Sequence, residues 1–551
     1  MAVLPTSRAS AAGGSAERRR ASTRSRSASS WARGTSRRWK SSAMGGAGCA
    51  WWWRPQGAHR AGSGRRRYAR ARMTSVVAAG NPHTAEAAAA ILRAGGNAVD
   101  AIIASGLAAF VAEPLLASAG GAGMMTVAPP EDAPAVVDFF SAMPGLGGTP
   151  DPATRDFRAV EIDFGAATQV FHVGRASAAA PVALAGLAEA SRQFGRLPLA
   201  EVVGPAVALA REGAPVSEES AEVFRLLWPI NVLDAETAAT YSSDGAPPAP
   251  GTRHPMPALA DLLEVFGARA AAPPKLRGLL LDAFGVAAGG SLTEEDLDAA
   301  VPRVTPPRML ELGRWRVATS PRIGGRLVGV IAKRLAGEAA VDEADEVLRV
   351  AEGCRAGHRA KGGAPGLGST THISVIDAEG GAASMTLTNG EGAGYCLPGT
   401  GIQLNNFCGE EDLHPGGFFT LAPGAPLPSM IAPTLARSDE GVLALGSGGA
   451  NRIRSVVAQV LQRVVAGDDL ESAVLAPRVH AEEDAVWLEM AERRDPAAVL
   501  HRLHAAFENV YEFPTRAFFF GGVHAVLARH GRFEAFGDPR RGGATRIVRH
   551  H

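Results

Sequence analysis

A change in polarity pattern at residue 370 constrains the fold of this chain more than any other feature. In residues 370–377, and again in residues 382–388, polar and apolar side chains alternate. Alternation with a period of two is typical of a β-strand with two different faces. The residues between the two runs, 378–380, end in glycine, which suits a short hairpin loop with a left-handed last position. The sequence therefore predicts an antiparallel hairpin in which Thr370 faces Thr388.

One face of this hairpin consists mostly of small hydroxyl side chains, and the opposite face is apolar. Solvated sheet faces usually carry longer charged residues as well. Two interpretations are therefore open: a plain exposed face, or a polar face with a chemical role. The polar face contains Thr370, His372, Ser374, Ser384, Thr386 and Thr388, and the apolar face contains Ile373, Val375, Ala383, Met385 and Leu387.

The segment before the hairpin, residues 351–369, is rich in Gly, Ala and basic residues and predicts an exposed, flexible linker. A threonine hydroxyl is a poor nucleophile until a base removes its proton, and the residue's own free α-amino group can be that base. Cleavage of the Ser369–Thr370 bond would free such an amino group. In that reaction the Thr370 hydroxyl attacks the preceding carbonyl, and the resulting ester is hydrolysed. We therefore predict a self-cleavage site at Ser369–Thr370 and a heterodimeric product.

A glycine-rich turn at residues 446–452 is the second feature with chemical potential. It lies between a short apolar strand, residues 442–445, and an amphipathic helix from about residue 453 to residue 465. Backbone N–H groups at a strand-to-helix turn can stabilise a tetrahedral oxyanion. Taken alone, the cluster is also compatible with a tight turn that has no chemical role.

Helical spacing dominates the chain before the hairpin. A helix is predicted over residues 84–93, with Thr84 as its capping residue, and an apolar, buried helix over residues 98–112. The cysteines show neither a CxxC pair nor metal-ligand spacing, so we expect reduced thiols and neither a metal nor a cofactor. The four cysteines are Cys49, Cys354, Cys396 and Cys408.

The first 72 residues differ sharply in charge from the rest of the chain. They contain 16 arginines and a single acidic residue, Glu17. A basic arm of this kind could bind nucleic acid or anionic lipid. We favour translation from Met73, with residues 1–72 as a misassigned leader or a disordered extension. No run of about 18 apolar residues follows Met73 and no export signal precedes it, so we expect a cytoplasmic protein with neither a membrane segment nor a nucleic-acid partner.

Six ordered blocks of the chain resemble the γ-glutamyltransferases, a family of N-terminal-nucleophile hydrolases, over about residues 76–545. This resemblance implies the α+β class and a four-layer αββα fold, built from both halves of a self-cleaved precursor. Residues 73–369 and 370–551 would then be the two subunit portions of one domain. The blocks are residues 95–101, Glu113–Pro114 with the following glycines, 194–213, 370–375, 398–406 and 446–453.

The resemblance also implies roles for the residues of the hairpin and the turn. The family nucleophile corresponds to Thr370, and the threonine that hydrogen-bonds it corresponds to Thr388, in agreement with the predicted register. The two glycines that stabilise the oxyanion correspond to Gly449 and Ala450. Gly448 with Gly449 is the alternative pair. Because backbone N–H groups do this work, an alanine is tolerable there.

Substrate-binding positions correspond less completely. Asn389 matches the asparagine that helps bind the substrate's α-carboxylate or amino group, and Ser429 matches one of a pair of family serines. The family's acidic residue for the α-amino group corresponds best to Glu410, with Glu411 beside it. The arginine that binds the glutamyl α-carboxylate is replaced by Phe140.

The replacement at residue 140 leaves the substrate open. Loss of an ionic hydrogen bond costs about 1.5–3 kcal/mol, so glutathione binding should weaken unless another base, such as Arg322 or Arg452, substitutes. The leading hypothesis is an autoprocessed acyltransferase or hydrolase that acts on glutathione-type γ-glutamyl donors, with water, an amino acid or a dipeptide as acceptor. The alternatives are an acylase of the same fold acting on a different side-chain amide, and an unprocessed, non-catalytic binding protein.

Overall fold

The computed structural model describes residues 74–163, 168–337, 340–361 and 369–550. The predictions for residues 1–72 and for the part of the predicted linker at 362–368 lie outside the described residues. The helices are α1 (Pro82–Arg93), α2 (Ala98–Ala112), α3 (Ala183–Phe194), α4 (Leu199–Val202), α5 (Gly204–Glu212), α6 (Glu218–Asn231), α7 (Ala235–Tyr241), α8 (Pro257–Arg269), α9 (Lys275–Phe284), α10 (Glu294–Ala299), α11 (Ile323–Leu335), α12 (Glu343–Lys361), α13 (Arg452–Ala466), α14 (Leu470–Leu475) and α15 (Pro496–His504).

The strands that the structure describes belong to two large sheets and three small ones. They are β1 (Thr74–Ala79), β2 (Ala122–Ala128), β3 (Ala135–Phe139), β4 (Arg158–Asp163), β5 (Thr168–Val173), β6 (Arg303–Thr305), β7 (Arg308–Leu312), β8 (Trp315–Thr319), β9 (Thr370–Ile376), β10 (Ala382–Thr388), β11 (Cys396–Leu397), β12 (Ile402–Gln403), β13 (Thr434–Arg437), β14 (Gly441–Ser447), β15 (Val479–Ala481), β16 (Ala485–Glu489), β17 (Asn509–Phe513), β18 (Val523–Arg529), β19 (Arg532–Phe536) and β20 (Ala544–Arg549).

The two large sheets stack face to face. The first has seven strands in the order β20-β1-β9-β10-β2-β3-β6, and the second has six in the order β19-β18-β14-β13-β8-β7. Strands β9 and β10 pack against β14 and β18. Helices α1, α2 and α3 cover the outer side of the first sheet, and α11, α13 and α14 cover the second. The layer order is αββα, which confirms the fold predicted from the resemblance.

The hairpin has the predicted register, since Thr370 pairs with Thr388 and Ser374 pairs with Ser384. Its loop glycine, Gly380, has a φ of +87°, as a left-handed last position requires. Every residue of β9 and β10 is buried. This burial excludes the interpretation of the polar side as a plain exposed face.

The polar face of the hairpin is buried because it hydrogen-bonds the second sheet. Ser374 Oγ donates to the His524 carbonyl of β18, and Ser384 Oγ donates to the Leu445 carbonyl of β14, both at 2.9 Å. The His372 ring lies between them, and burial lowers the pKa of His372 well below 6.5. The imidazole is therefore neutral, and its two nitrogens contact the hydroxyls of Thr386 and Ser374 at 2.8 and 3.0 Å. Small hydroxyls satisfy each other and the facing carbonyls, so this part of the polar face is buried without a charged side chain.

Helix α1 begins earlier than predicted, and Thr84 is not its capping residue. The cap is Asn81, whose side chain accepts the backbone N–H of His83 at 2.9 Å. Thr84 lies inside the helix, where its hydroxyl donates to Glu113 Oε1 at 2.7 Å. The predicted apolar helix is α2, and all of its residues are buried.

The prediction of an exposed linker is wrong for residues 351–361, which form the second half of α12. Its glycines serve close helix packing: a Cβ on Gly357 would lie 2.9 Å from two side-chain carbons of Ile331 in α11. Ala351 and Cys354 are fully buried on the same helix. The small residues of this segment, which in sequence indicate flexibility, therefore form a helix–helix contact surface. Cys396 and Cys408 are also buried free thiols, and Cys49 lies outside the described residues.

The separation of the sheets depends on Gly446 of β14. A Cβ at this position would lie 2.2 to 2.7 Å from three ring atoms of His372. Gly446→Ala should therefore destabilise the protein by about 1–3 kcal/mol, because the rigid ring cannot move aside without displacing a sheet.

The matched control is Gly278→Ala in α9, where an added Cβ meets no atom within 4 Å. This control should be neutral or stabilising by about 0.5–1 kcal/mol, since alanine favours a helix over glycine. Urea unfolding followed by circular dichroism measures both variants. Equal stability of Gly446→Ala and the parent protein would contradict the packing of His372 on β14.

Candidate active site

Thr370 begins β9 with its side chain almost fully buried, at 4% exposure. Its Oγ1 donates to Thr388 Oγ1 at 3.5 Å. Thr388 Oγ1 in turn donates to the carbonyl oxygen of Ser369 at 2.7 Å and accepts the N–H of Gly390 at 3.1 Å. The carbonyl that precedes Thr370 therefore already has a hydroxyl donor on its oxygen. That is where negative charge would develop if Thr370 attacked it.

The glycine-rich turn lies directly beside Thr370. A Cβ on Gly448 would be 2.1 Å from the Thr370 carbonyl oxygen, so a larger residue cannot occupy this position without a shift. Gly449 and Ala450 have left-handed φ angles of +113° and +45°. Among the residues that the structure describes, neither of their N–H groups has a hydrogen-bond acceptor. Two consecutive unpaired donors suit an oxyanion, and α13 begins two residues later.

A pair of buried acids flanks the other side of Thr370. Glu391 Oε1 accepts the N–H of Ser369 at 3.2 Å, and Glu391 Oε2 accepts Asn406 Nδ2 at 3.3 Å. Burial raises the pKa of Glu391 to about 8. Glu410 is also buried, and its pKa is raised by burial first and then by the proximity of Glu391 and Asp412. Like charges in a dry site favour protonation, so this pair is at least partly neutral at neutral pH.

Glu391 was missed by sequence reasoning. It follows β10 within a stretch of glycines, 389–394, that has no periodicity to reveal a buried acid. The signal available in sequence was an isolated acid in a glycine-rich turn. Glu410, which was predicted, does lie in this cluster, whereas its neighbour Glu411 is exposed.

Asn389 is fully buried beside the same cluster. Its Nδ2 donates to Gln403 Oε1 at 3.1 Å, and Gln403 Nε2 donates to Asn231 Oδ1 at 2.8 Å. Asn389 Oδ1 has no hydrogen-bond partner among the described residues. The amide is therefore held by one end and presents an acceptor at the other, which fits a role in binding an N–H group.

Ser429 is buried, and its hydrogen bonds are local. Its backbone carbonyl accepts the N–H of Gly324 at 2.9 Å, and its Oγ accepts the N–H of Ile431 at 3.3 Å. These bonds tie Ser429 to the start of α11 and to its own loop instead of to Thr370.

Phe140 packs in an aromatic stack where the resemblance implied an arginine. Its ring lies 4.9 Å from the ring of Phe407. Arg322 is close, but its Nε donates to Asp138 Oδ2 and its Nη1 to the Leu427 carbonyl, both at 2.7 Å. Arg322 is therefore held by this chain's own acceptors and is a poor replacement for the missing arginine.

Arg452, the other proposed replacement, is also engaged. Its Nε donates to the Phe519 carbonyl at 2.9 Å, and its guanidinium lies 4.8 Å from the Phe519 ring centre. Burial lowers the pKa of Arg452 to about 9. This arginine supports the start of α13.

Glu113 fixes the residue that follows Thr370. Its Oε2 accepts the hydroxyl of Thr371 at 2.6 Å, while its Oε1 accepts that of Thr84. Burial raises the pKa of Glu113. The carboxyl at the end of α2 thereby ties the beginning of β9 to α1.

An αββα fold in which a buried threonine begins a central strand beside unpaired backbone donors is that of an N-terminal-nucleophile hydrolase. Residues 84–336 and 349–548 match the model of the gamma-glutamyltranspeptidase family. The chain belongs to that family and is an amidohydrolase of it.

Several relatives share most of the length of the chain. It is 30% identical over 510 residues to the acylase ACY 1 proenzyme of Pseudomonas sp. (strain V22), which covers 82% of this chain and 89% of that protein. It is 26% identical to the glutathione hydrolase proenzyme of Bacillus subtilis (strain 168), with 85% and 91% covered. The crystal structure of cephalosporin acylase from Bacillus halodurans has a TM-score of 0.72 at 22% identity, covers 86% of this chain and 96% of its own, and shows the same fold.

The raised pKa of Glu391 predicts a pH dependence of stability. Between pH 4.5, the ordinary value, and about 8, the folded protein retains a proton that the unfolded chain has lost. Stability therefore falls as pH rises through this window, by at most about 1.4 kcal/mol per pH unit for one proton. Glu391→Gln cannot lose that proton, so its stability relative to the parent should rise from pH 5 to pH 8.

The comparison is made by urea unfolding in a Thr370→Ala background, which removes the reactive hydroxyl. Glu411→Gln provides the same change of charge at an exposed position. Parallel stability profiles for the parent and Glu391→Gln would contradict the assignment of a buried, protonated Glu391.

Proposed function

We propose that this chain cleaves its own Ser369–Thr370 bond and then uses Thr370 as an N-terminal nucleophile to transfer acyl groups from amides. The observation that carries the proposal is the contact of Thr388 Oγ1 with the Ser369 carbonyl, 2.7 Å away, beside the Thr370 hydroxyl. A nucleophile, the carbonyl before it and a donor on that carbonyl meet in one buried place. The proenzyme names of the acylase and glutathione hydrolase relatives support the same conclusion.

Cleavage proceeds through an ester. Thr370 Oγ1 attacks the carbonyl carbon of Ser369, and Thr388 stabilises the charge on the carbonyl oxygen. The C–N bond breaks, the nitrogen of Thr370 takes the proton of the hydroxyl, and Ser369 is left bound to Oγ1. Water then hydrolyses this ester, which gives a Ser369 carboxylate and a free Thr370 amino group.

The free amino group is the base of the mature enzyme. It accepts the proton of Oγ1 as the oxygen attacks the carbonyl of a substrate amide, and it returns a proton to the departing amine. The N–H groups of Gly449 and Ala450 bind the oxyanion, while Gly448 allows the turn to approach. Water or an amine, such as an amino acid or a dipeptide, then takes the acyl group from Thr370.

We infer an acylase-type donor rather than glutathione as the preferred substrate. The buried rings of Phe140 and Phe407 stack where a carboxylate-binding arginine was expected, and Arg322 and Arg452 are both engaged elsewhere. The acylase relatives at 30% identity support this order. A γ-glutamyl donor is the second candidate, favoured by the buried Glu410 and by the unpaired Asn389 Oδ1, which suit an α-amino group.

The self-cleavage predicts two fragments on a denaturing gel, ending at residue 369 and starting at residue 370. Thr370→Ala should remain a single chain because the attacking oxygen is gone. Thr388→Ala should slow cleavage by about 10- to 100-fold, since it removes one donor from the developing oxyanion. N-terminal sequencing of the smaller fragment identifies the cut.

Thr370→Ser retains a hydroxyl and serves as the control, with cleavage at the same bond. A wild-type protein that stays intact, while folded by circular dichroism, would contradict the proposed function.

The acyl pocket is tested by Phe140→Arg. On a γ-glutamyl anilide the arginine should lower KM by about tenfold or more at similar kcat, because it restores an ionic contact to the α-carboxylate. Steady-state kinetics against an uncharged acyl anilide gives the comparison. Phe140→Leu controls for loss of the stack with Phe407. If both variants weaken all donors equally, residue 140 supports packing and does not contact the acyl group.

A further inference from the structure

A cleft opens beside the end of β1, where Gly80 and Glu113 line it together with Arg541. Its enclosed part has a volume of about 20 Å³, which is room for about one water molecule, and it opens to solvent. Its walls come from the end of β1, the end of α2, the first turns of α6 and the segment before β20. The lining residues that matter here are Gly80, Glu113, Glu219, Phe224, Phe518 and Arg541.

Arg541 is the unusual residue of this cleft. It is 6% exposed, yet its Nε and Nη1 have no hydrogen-bond partner among the described residues. Nη2 donates to the Phe518 carbonyl at 3.4 Å, and the guanidinium lies 3.8 Å from the Phe518 ring centre. Burying N–H groups of a cation without acceptors is costly, so such an arrangement calls for a partner that the chain itself does not supply.

Arg540, the residue before Arg541, is a buried arginine whose hydrogen bonds are supplied by the chain itself. Arg540 is equally buried, but its Nε donates to Glu489 Oε1 at 2.7 Å and its Nη1 to Asp538 Oδ1 at 3.2 Å. Arg478 also binds Asp538 through Nη2. The local carboxylates are therefore used by Arg540 and Arg478, and Arg541 is left over.

Arg541 lies at the turn that carries the proposed oxyanion donors. The position of a Cβ on Gly448 is 2.1 Å from the Thr370 carbonyl oxygen and 3.4 Å from Arg541 Nη1. The corresponding position on Gly449 is 3.6 Å from Arg541 Nη2. The guanidinium and the first residue of β9 thus contact the same small turn from two sides.

The charge of the cleft favours an anion at its inner end. Burial lowers the pKa of Arg541 to about 10, which leaves it a cation at neutral pH. Glu113 is bound by two threonine hydroxyls, and burial raises its pKa. Glu219 is exposed, with its carboxyl group 3.0 Å from where a Cβ of Gly542 would lie, at the mouth of the cleft.

We propose that Arg541 binds a carboxylate of the reacting molecule in this cleft, and so supplies the ionic contact that Phe140 cannot make. This inference rests on the proposed acyl transfer at Thr370. A guanidinium is well suited to a carboxylate, and Arg541 offers two unpaired nitrogens, Nε and Nη1, on different edges of its plane. Either one can donate a charged hydrogen bond to a carboxylate oxygen. Either fragment of an amide substrate can bear the carboxylate, the acyl donor or the amine.

Arg541→Met tests the proposal with donors that differ in one group. Glutaryl and valeryl p-nitroanilides have the same chain length and leaving group, and only the glutaryl group ends in a carboxylate. The variant should lower kcat/KM for the glutaryl donor by about 10- to 150-fold, mainly through KM, and change the valeryl donor less than about threefold. Arg541→Lys should recover part of the loss.

A second arm locates the carboxylate. Valeryl amides of 4-aminobenzoate and of aniline place the charge on the amine instead, and a selective loss in this pair would assign Arg541 to the amine fragment. Arg192→Met, which removes an exposed arginine of α3, controls for the change of charge. The proposal would be overturned if Arg541→Met lowered kcat/KM equally for the charged and the uncharged member of both substrate pairs, or lowered it for none of them.

Direct binding separates this proposal from the proposed function. Calorimetry measures glutarate and valerate on the wild type and on Arg541→Met, at matched thermal stability. Glutarate binding that Arg541→Met loses selectively supports the site even in a protein that turns over no amide. The same comparison is made with 4-aminobenzoate and aniline for the amine fragment. A wild type that is cleaved and active, but binds neither glutarate nor 4-aminobenzoate better than Arg541→Met does, would refute the site and leave the proposed function standing.

Discussion

The structure depends on the burial of a polar sheet face between two sheets. Ser374 and Ser384 reach across and donate to carbonyls of β18 and β14, while the neutral ring of His372 rests on the bare backbone of Gly446. Each of these groups is neutral and hydrogen-bonded, so the layers approach closely at this point. The same close approach brings the turn after β14 against the start of β9. The position of Thr370 beside Gly448 is therefore a direct result of how the sheets pack.

Buried acidic and basic groups near Thr370 lie in different places. Buried carboxyls, Glu391 and Glu410, lie toward β10, and a buried guanidinium, Arg541, lies toward the cleft at β1. In a site with little water such groups act strongly on anything bound between them. An amide substrate has two ends, and the two flanks offer them different electrostatic surroundings. The Thr370 hydroxyl itself donates to the hydroxyl of Thr388, a neutral partner.

Much of the fold could be predicted from local sequence pattern. Most of the features that could not be predicted depend on contacts between residues far apart in sequence. The alternation in residues 370–388 was sufficient for the strands, their register and the pairing of Thr370 with Thr388. The same local reasoning failed for α12, because Gly357 allows two helices to touch, a role that composition cannot distinguish from flexibility. Glu391 could not be recognised because its role depends on its contact with Ser369, which lies 22 residues earlier in the chain. Arg541 could not be recognised because it lies beside Gly448, which is far from it in sequence. The resemblance named Glu410 and Asn389 but could not reveal which of their atoms are left unpaired.

The order of strands has a consequence for the cleavage that we propose before Thr370. Each large sheet interleaves strands from before and after residue 370: β1 and β2 enclose β9 and β10, and β8 borders β13. Breaking the peptide bond at that residue removes no ladder hydrogen bond, so the two pieces stay together as one folded body. Once unfolded, however, neither piece can rebuild a sheet alone, and reassembly changes from a first-order event within one chain to a second-order encounter between two. Under the proposed cleavage, folding would become an event tied to synthesis, and the cleaved molecule would be maintained by its barrier to unfolding instead of by repeated refolding.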